Sequence, residues 1–292
     1  MNMKLIERSI GSYEGTLARD DRDRLAFFAM LWRTLESRRA EVPCSSVWSL
    51  DAEAVKCAAA DSTPLFRVNP ADVSLDELVS TFDALVAAIR AYGAYPEDIA
   101  ARLESAPVRD AAFAATADSA GSCPEEFLAD FADCLLECGV DEHFATLCAT
   151  LLSLALRSLI EGQASQAFSV LNAAGLGSGS LHCPVCGGEP SLSHVGVVDS
   201  SAARKRKLVC TQCGTAWGFD RVRCARCGTR NQESLHTYSV EGDDSHRIAV
   251  CEECGGSIKT LFSDDMFSVC SYEVEDVLMA KLDATVRAGE SR

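Results

Sequence analysis

Eight cysteines in the last third of this 292-residue chain stand as four Cys-x-x-Cys pairs: Cys183 with Cys186, Cys210 with Cys213, Cys224 with Cys227, and Cys251 with Cys254. They form two copies of one unit, offset by 41 residues, with 23 residues between the two pairs of each copy. A glycine follows every pair, at Gly187, Gly214, Gly228 and Gly255. A Cys-x-x-Cys-Gly turn aims both sulfurs at one point, and the glycine takes the positive-φ position where a Cβ would clash. Two such knuckles complete a tetrahedron of thiolates around one ion, a geometry that zinc and iron both accept. The alternative chemistry is disulfides or redox dithiols. A redox dithiol of the thioredoxin kind stands alone at a strand-to-helix junction and is not duplicated with its loop length preserved. The duplication favours pairing the first knuckle with the second and the third with the fourth, an interleaved scheme being the other arrangement.

The knuckles need short strands to carry them. Strand-like stretches at residues 193–198, 207–209, 235–240 and 247–250 run up to them, as small antiparallel hairpins require. A ribbon of about 35–40 residues is too small to bury a core, so metal ligation must supply much of its stability. Upstream the pattern changes. Leu25, Phe28, Ala29, Leu31, Trp32 and Leu35 recur at helical spacing over residues 22–38. The Ser-Leu-Asp-Glu run at 74–77 is a capping box ahead of a second helix that Gly93 stops. Pro124 can open a third at its first position, and Asp141 caps the longest segment, running towards Leu171. No alternating strand pattern precedes residue 180, so the first part reads as an all-α bundle. The Gly-Leu-Gly-Ser-Gly-Ser run at 175–180 is a flexible linker by composition, and residues 272–286 have helical periodicity. The expected division is therefore 1–174 helical domain, 175–181 linker, 182–220 and 221–262 metal modules, and 263–292 C-terminal helix and tail.

With 48% hydrophobic residues the chain can bury a sizeable core. No apolar stretch of signal-peptide length opens it, which gives a cytoplasmic expectation. The apolar run at 144–160 contains Thr146, Thr150, Ser153, Arg157 and Ser158 and reads as a buried core helix, not as a membrane span. Net charge is −16, distributed as −13 over residues 1–179, +1 over 180–262 and −4 over 263–292. Within the neutral metal region lie a basic run at 204–207 and a second cluster of Arg221, Arg223, Arg226 and Arg230; the run reads as a solvated loop, a docking patch for an acidic protein segment or nucleic acid being the other reading. Seven cysteines remain: Cys44, Cys57, Cys123, Cys134, Cys138, Cys148 and Cys270. Cys134 and Cys138 share a helical face and read as small apolar core residues before half of a metal cluster. His143, His182, His194, His236 and His246 are the alternative ligands or bases, with solvent exposure expected of each and His182 near enough to the first knuckle to bond a sulfur. Trp217 and Tyr238 are expected in the small cores of the ribbons.

The runs His-Cys-Pro-Val-Cys-Gly-Gly-Glu-Pro at 182–190, Arg-Lys-Leu-Val-Cys-Thr-Gln-Cys-Gly-Thr-Ala-Trp at 206–217, Arg-Cys-Ala-Arg-Cys-Gly at 223–228, Leu-His-Thr-Tyr at 235–238 and Arg-Ile-Ala-Val-Cys-Glu-Glu-Cys at 247–254 together resemble the formate dehydrogenase accessory protein family, FdhE. The resemblance covers about residues 180–290. It implies a multi-domain fold of α plus small β: an all-α helical N-terminal domain, two tandem rubredoxin-like or zinc-ribbon modules, and a C-terminal helix. It also implies a cytoplasmic, non-enzymatic maturation factor that binds the catalytic subunit of a respiratory formate dehydrogenase and holds two iron ions per chain, with zinc as the other candidate. Carried over, the ligands are Cys183, Cys186, Cys210, Cys213, Cys224, Cys227, Cys251 and Cys254.

The residues by themselves agree with a protein that is not an enzyme. No nucleophile–base constellation, Walker loop or dinucleotide loop is present, and a closed four-thiolate site leaves no coordination position for a substrate. Two further readings stand beside the accessory protein. One is a nucleic-acid-binding tandem zinc ribbon, supported only by the basic run and the nearby arginines and disfavoured by the net negative charge. The other is a rubredoxin-like electron-transfer protein, for which the chain is several times too long.

Overall fold

The helical periodicity of the first 174 residues is realised as ten helices in the computed structural model, which describes residues 1–41, 47–93, 96–115, 117–197, 204–239, 242–263 and 270–282. Their order is α1 (Met3–Ser12), α2 (Arg19–Glu41), α3 (Ala52–Ala60), α4 (Leu65–Val68), α5 (Leu75–Tyr92), α6 (Glu97–Ser105), α7 (Val108–Ala114), α8 (Ala117–Ser122), α9 (Pro124–Glu137) and α10 (Glu142–Ala173). The expected signals fix several ends. Ser74 Oγ accepts the amide of Glu77, and Gly93 closes α5 in the left-handed conformation at φ 67°. Pro124 occupies the first turn of α9, and Asp141 accepts the amide of Phe144 at 3.1 Å to start α10. Helices α1, α3, α4, α6, α7 and α8 have no counterpart in the sequence reading. All are shorter than three turns, too short for an amphipathic stripe to declare itself.

Helix α10 is the spine of the bundle, packing against α9, α5 and α2, while α5 packs on α2. Phe82, Leu85, Phe127, Phe131, Leu152 and Leu156 are buried between them. Among the described residues α10 is the one helix long and apolar enough to cross a membrane. Its Leu152, Leu156 and Ile160 are wholly buried by the bundle, and Arg157 and Glu161 sit in an internal ion network, as the reading of residues 144–160 as a core helix requires.

Residues 192–263 form one six-stranded sheet. Its strands are β1 (Leu192–Val197), β2 (Arg204–Val209), β3 (Ala216–Phe219), β4 (Leu235–Ser239), β5 (His246–Cys251) and β6 (Ser257–Ser263), in spatial order β3-β2-β1-β6-β5-β4. Each repeat contributes an antiparallel three-stranded ribbon, and the two are joined by the parallel pair β1–β6, with His194 opposite Leu261. Strands β3 and β6 were not anticipated. The basic run at 204–207 is not a solvated loop: it belongs to β2, where Arg206 pairs with Val195 on one side and Phe219 on the other. Alternate side chains of a strand face opposite ways, so Arg206 turns inward while its neighbours do not. Residues 198 and 240, at the ends of two expected strands, lie outside the described residues.

Beyond the sheet, α11 (Tyr272–Leu278) is the C-terminal helix; residues 283–286 of the expected helix lie outside the described residues. It is wedged between bundle and sheet. Val274, Val277 and Leu278 pack with Ile6, Leu25, Ala29 and Trp32, while Met279 and Leu282 continue onto Leu192, Val209 and Ile248. The Gly/Ser-rich run at 175–180 is tied down as well. Gly179 donates to the carbonyl of Gly218 at 2.8 Å, and Trp217 Nε1 donates to the carbonyl of Ser180 at 2.8 Å.

Candidate metal centres

All four knuckles are built the same way. The first cysteine amide of each donates across the turn to a carbonyl: Cys183 to Gly188 at 2.8 Å, Cys210 to Thr215 at 2.9 Å, Cys224 to Thr229 at 2.8 Å and Cys251 to Gly256 at 2.9 Å. The glycine amide returns to the first cysteine's carbonyl, from Gly187, Gly214, Gly228 and Gly255. All four glycines have φ between 70° and 86°, a conformation that a side chain would strain. The second repeat also shows amides aimed at sulfur. Arg226 and Cys227 donate to Cys224 Sγ at 3.3 and 3.4 Å, and Gly256 donates to Cys254 Sγ at 3.4 Å.

These turns bring the eight sulfurs into two quartets, Cys183/Cys186/Cys210/Cys213 and Cys224/Cys227/Cys251/Cys254, each with all Sγ atoms within 4.8 Å of one another. First pairs with second and third with fourth; the interleaved scheme is excluded. Sulfurs lie 3.5 Å apart across the first quartet and 3.8 Å apart across the second. A metal–sulfur bond of about 2.3 Å in a tetrahedron demands an edge of about 3.8 Å. The donor set therefore fits one tetrahedral ion per quartet, two in all, and iron and zinc fit alike. Among the described residues every cysteine is a free thiol.

The two centres differ in cover. Cys183, Cys186, Cys210 and Cys213 are each at most 2% exposed, whereas Cys227 and Cys254 of the second quartet are exposed. Helices close over the first. The amides of Leu65 and Phe66, at the start of α4, donate to the knuckle carbonyls of Pro184 and Val185 at 3.1 and 2.9 Å. From α10, Arg157 donates to the carbonyl of Thr211 at 3.0 Å, and Ser153 bonds the Gln212 side chain at 2.7 Å. Arg157 also pairs with Glu273 of α11 and lies near Glu161, which in turn pairs with Arg39 of α2. Burial alone raises the Glu273 carboxyl, but Arg157 beside it carries it below its usual range.

Electrostatics make the same demand for a cation. Burial pushes the thiol of Cys183 well above its ordinary value, and the surrounding thiols do so for Cys186. Burial opposes ionisation of Cys213 too, yet its hydrogen bonds with Cys183, Cys186, Cys210 and Thr215 draw it well down. Four thiolates crowded into a dry site repel one another, so a full set of them requires a cation at their centre. In the second quartet burial raises Cys224, but the Cys227 and Arg226 amides outweigh it and bring the thiol to about 7.

Other candidates fall differently. His143 and His182 are exposed, as expected. His194, His236 and His246 are only partly exposed. His194 bonds Tyr272 and Ser263, and His246 sits between Asp243 and Glu275 at 2.8 Å from each. Trp217 is fully buried, but Tyr238 is 58% exposed because β4 is the sheet edge. Cys134 is half-buried and Cys138 exposed at the end of α9, so only the first approaches a core role; Cys44 lies outside the described residues. Among the described residues no third cluster of metal-binding side chains exists.

Comparison with known proteins gives the same picture. Residues 182–221 match the family model described as FdhE, central domain. A protein named "Protein FdhE homolog" from Shewanella baltica (strain OS185) is 31% identical over 107 residues, 36% of this chain and 34% of that one. Another of the same name from Aquifex aeolicus is 33% identical over 104 residues, 35% of each chain. The matched stretch thus spans about a third of the length of these relatives. The crystal structure of the FdhE protein from Pseudomonas aeruginosa superposes with a TM-score of 0.57 at 17% identity, over 98% of this chain and 90% of that one. The family match holds in sequence over residues 182–221, about a third of the chain aligns with each curated relative, and the fold of that crystal structure is shared along nearly the whole chain.

Proposed function

We propose that the chain is a non-enzymatic, metal-binding accessory protein that binds the catalytic subunit of a respiratory formate dehydrogenase in the cytoplasm and is needed for its assembly or activation. The observation that carries this reading is the pair of closed, tetrahedrally spaced cysteine quartets, the first of which lies in the residues that match the FdhE central domain. Cys183, Cys186, Cys210 and Cys213 hold one ion and Cys224, Cys227, Cys251 and Cys254 the other. Iron is the assigned metal and zinc the alternative. A tetrathiolate ion supplies a cross-link between knuckles and, as iron, a one-electron couple. Around it the chain's own groups do the rest: knuckle amides stabilise the thiolates, and α4 and α10 shut water away from the first quartet.

Two measurements test this. Protein purified without air should carry near two iron per chain with sulfur-to-iron absorption, and the catalytic subunit of the formate dehydrogenase made by the same cells should co-purify with it. Two zinc ions and no colour would remove the iron assignment, and absence of the subunit from repeated co-purifications would remove the partner. Electron transfer stays as a second reading for one reason, the exposure of Cys227 and Cys254, which brings thiolate edges of the second quartet to the surface. A reversible potential without any subunit binding would favour it. Nucleic-acid binding keeps less of its support, since Arg206 is buried and Arg226 and Arg230 are paired with Glu189 and Asp220.

A further inference from the structure

Beside the second quartet, on the sheet face formed by β4, β5 and β6, lies a cavity of about 290 Å³. Its charged lining is of one sign. Arg206, Arg221, Arg223 and Arg226 reach it, together with His236, and among the described residues no aspartate or glutamate lines it; Arg226 pairs with Glu189 and Arg223 lies 3.9 Å from Asp220 at its rim, which leaves Arg206 and Arg221 without an acidic partner. Arg206 is only 7% exposed, and its guanidinium bonds run to neutral oxygens, the Ser193 hydroxyl and the carbonyls of Asp220 and Arg223. Burial lowers its pKa, but only to about 10, so it stays charged at neutral pH. Arg221 is exposed and makes no hydrogen bond or ion pair among the described residues. Nε2 of His236 is shielded from water without a hydrogen bond; Glu252 lies 3.0 Å away, out of line for one.

These arginines do not serve to neutralise the thiolates by direct contact. Every hydrogen bond from the guanidinium groups of Arg206, Arg223 and Arg226 goes to an oxygen and none to sulfur. The cavity floor is apolar, with Val195, Leu235, Ile258 and Phe262. Along one side runs β4, whose outer edge pairs with no strand among the described residues. The floor offers room for the side chains of an extended chain that lies over β4 on the cavity side. The internal repeat adds a contrast: the knuckles of the first repeat are already covered by α4 and α10, while the corresponding tips of the second, with Cys227 and Cys254, are exposed.

We propose that this cavity is the docking site for the partner protein, and that it receives an extended segment laid along β4 with a carboxylate placed against Arg206 and Arg221. The inference rests on the accessory-protein reading above. Charge complementarity selects an acidic segment, because guanidinium groups without acidic partners gain most from a carboxylate.

The test measures binding of the formate dehydrogenase catalytic subunit from the same cells to the full chain, purified without air. Arg221→Glu should weaken binding about tenfold, since it reverses a charge at the contact. Arg33→Glu, on an exposed face of α2, should leave it within about twofold. Metal content and far-ultraviolet signal are measured for both variants, and Arg221 touches nothing whose loss would unfold the chain. Equal binding by wild type and Arg221→Glu overturns the docking site while leaving the accessory role intact. Equal weakening by Arg221→Glu and Arg33→Glu overturns it as well, showing only diffuse charge attraction. Absence of binding by the wild type overturns the accessory reading itself, and the docking site with it.

Discussion

At the scale of single residues, Arg157 does more than its place in the sequence suggests. It is 13% exposed, pairs with Glu273, lies within 3.7 Å of Glu161 and donates to the carbonyl of Thr211 in the second knuckle. Removing one partner of a buried ionic cluster leaves the other charge without compensation, which costs about 3–5 kcal/mol. Arg157→Ala should therefore lower stability by about 3 kcal/mol, read as a fall in the urea midpoint with the slope unchanged. The cysteines should separate by position. Cys254→Ser exposes no core and should cost one metal ion with the helical signal intact, as mass spectrometry and far-ultraviolet circular dichroism would record. Cys183→Ser breaks a quartet that shares one apolar cluster with Leu65, Phe66 and Leu156 of the bundle, so metal loss and a lowered helical melting temperature should come together.

At the scale of elements, α11 joins the bundle to the second repeat, and its polar fastening is sensitive to pH. His246 of β5 lies between Asp243 and Glu275, and Tyr13, following α1, donates to the same Glu275 at 2.8 Å. Burial lowers the imidazole pKa, but bonds to Glu275 and Asp243 outweigh it and raise the pKa above 6.5. A group whose folded pKa is raised stabilises the fold fully below its unfolded value and loses that contribution as pH climbs through the folded one. Stability should accordingly fall between about pH 6.5 and the raised value. His246→Gln should flatten that part of the profile in urea unfolding followed across pH. A slope that survives the substitution would place its origin elsewhere.

At the scale of the whole molecule, the two repeats have been given unequal surroundings. The first quartet is buried under α4 and α10 and belongs to the main core, while the second stands at the open end of the sheet. Release of a buried ion requires opening of the bundle, and release at exposed thiolates does not. A strong chelator should remove one ion per chain quickly and the second only at the rate of global unfolding, so metal release should be biphasic with equal amplitudes. A single phase would contradict the difference in cover.

Local chemistry wrote the parts that the sequence alone determined. Knuckle spacing and the glycine after each pair defined the four turns, because a tight turn is decided within five residues, while the 41-residue repeat only favoured the pairing that the structure fixes. Caps at Ser74, Pro124 and Asp141 marked the long helices for the same reason. Tertiary structure decided what depends on distant partners. The parallel β1–β6 pairing joined two small ribbons into one sheet, and burial of Arg206 followed from its inward place on β2. His194 and His246 left solvent because α11 arrived beside them from the far end of the chain. The unequal cover of two nearly identical metal units had no local signal at all, since the helices that create it lie far upstream of the cysteines they enclose.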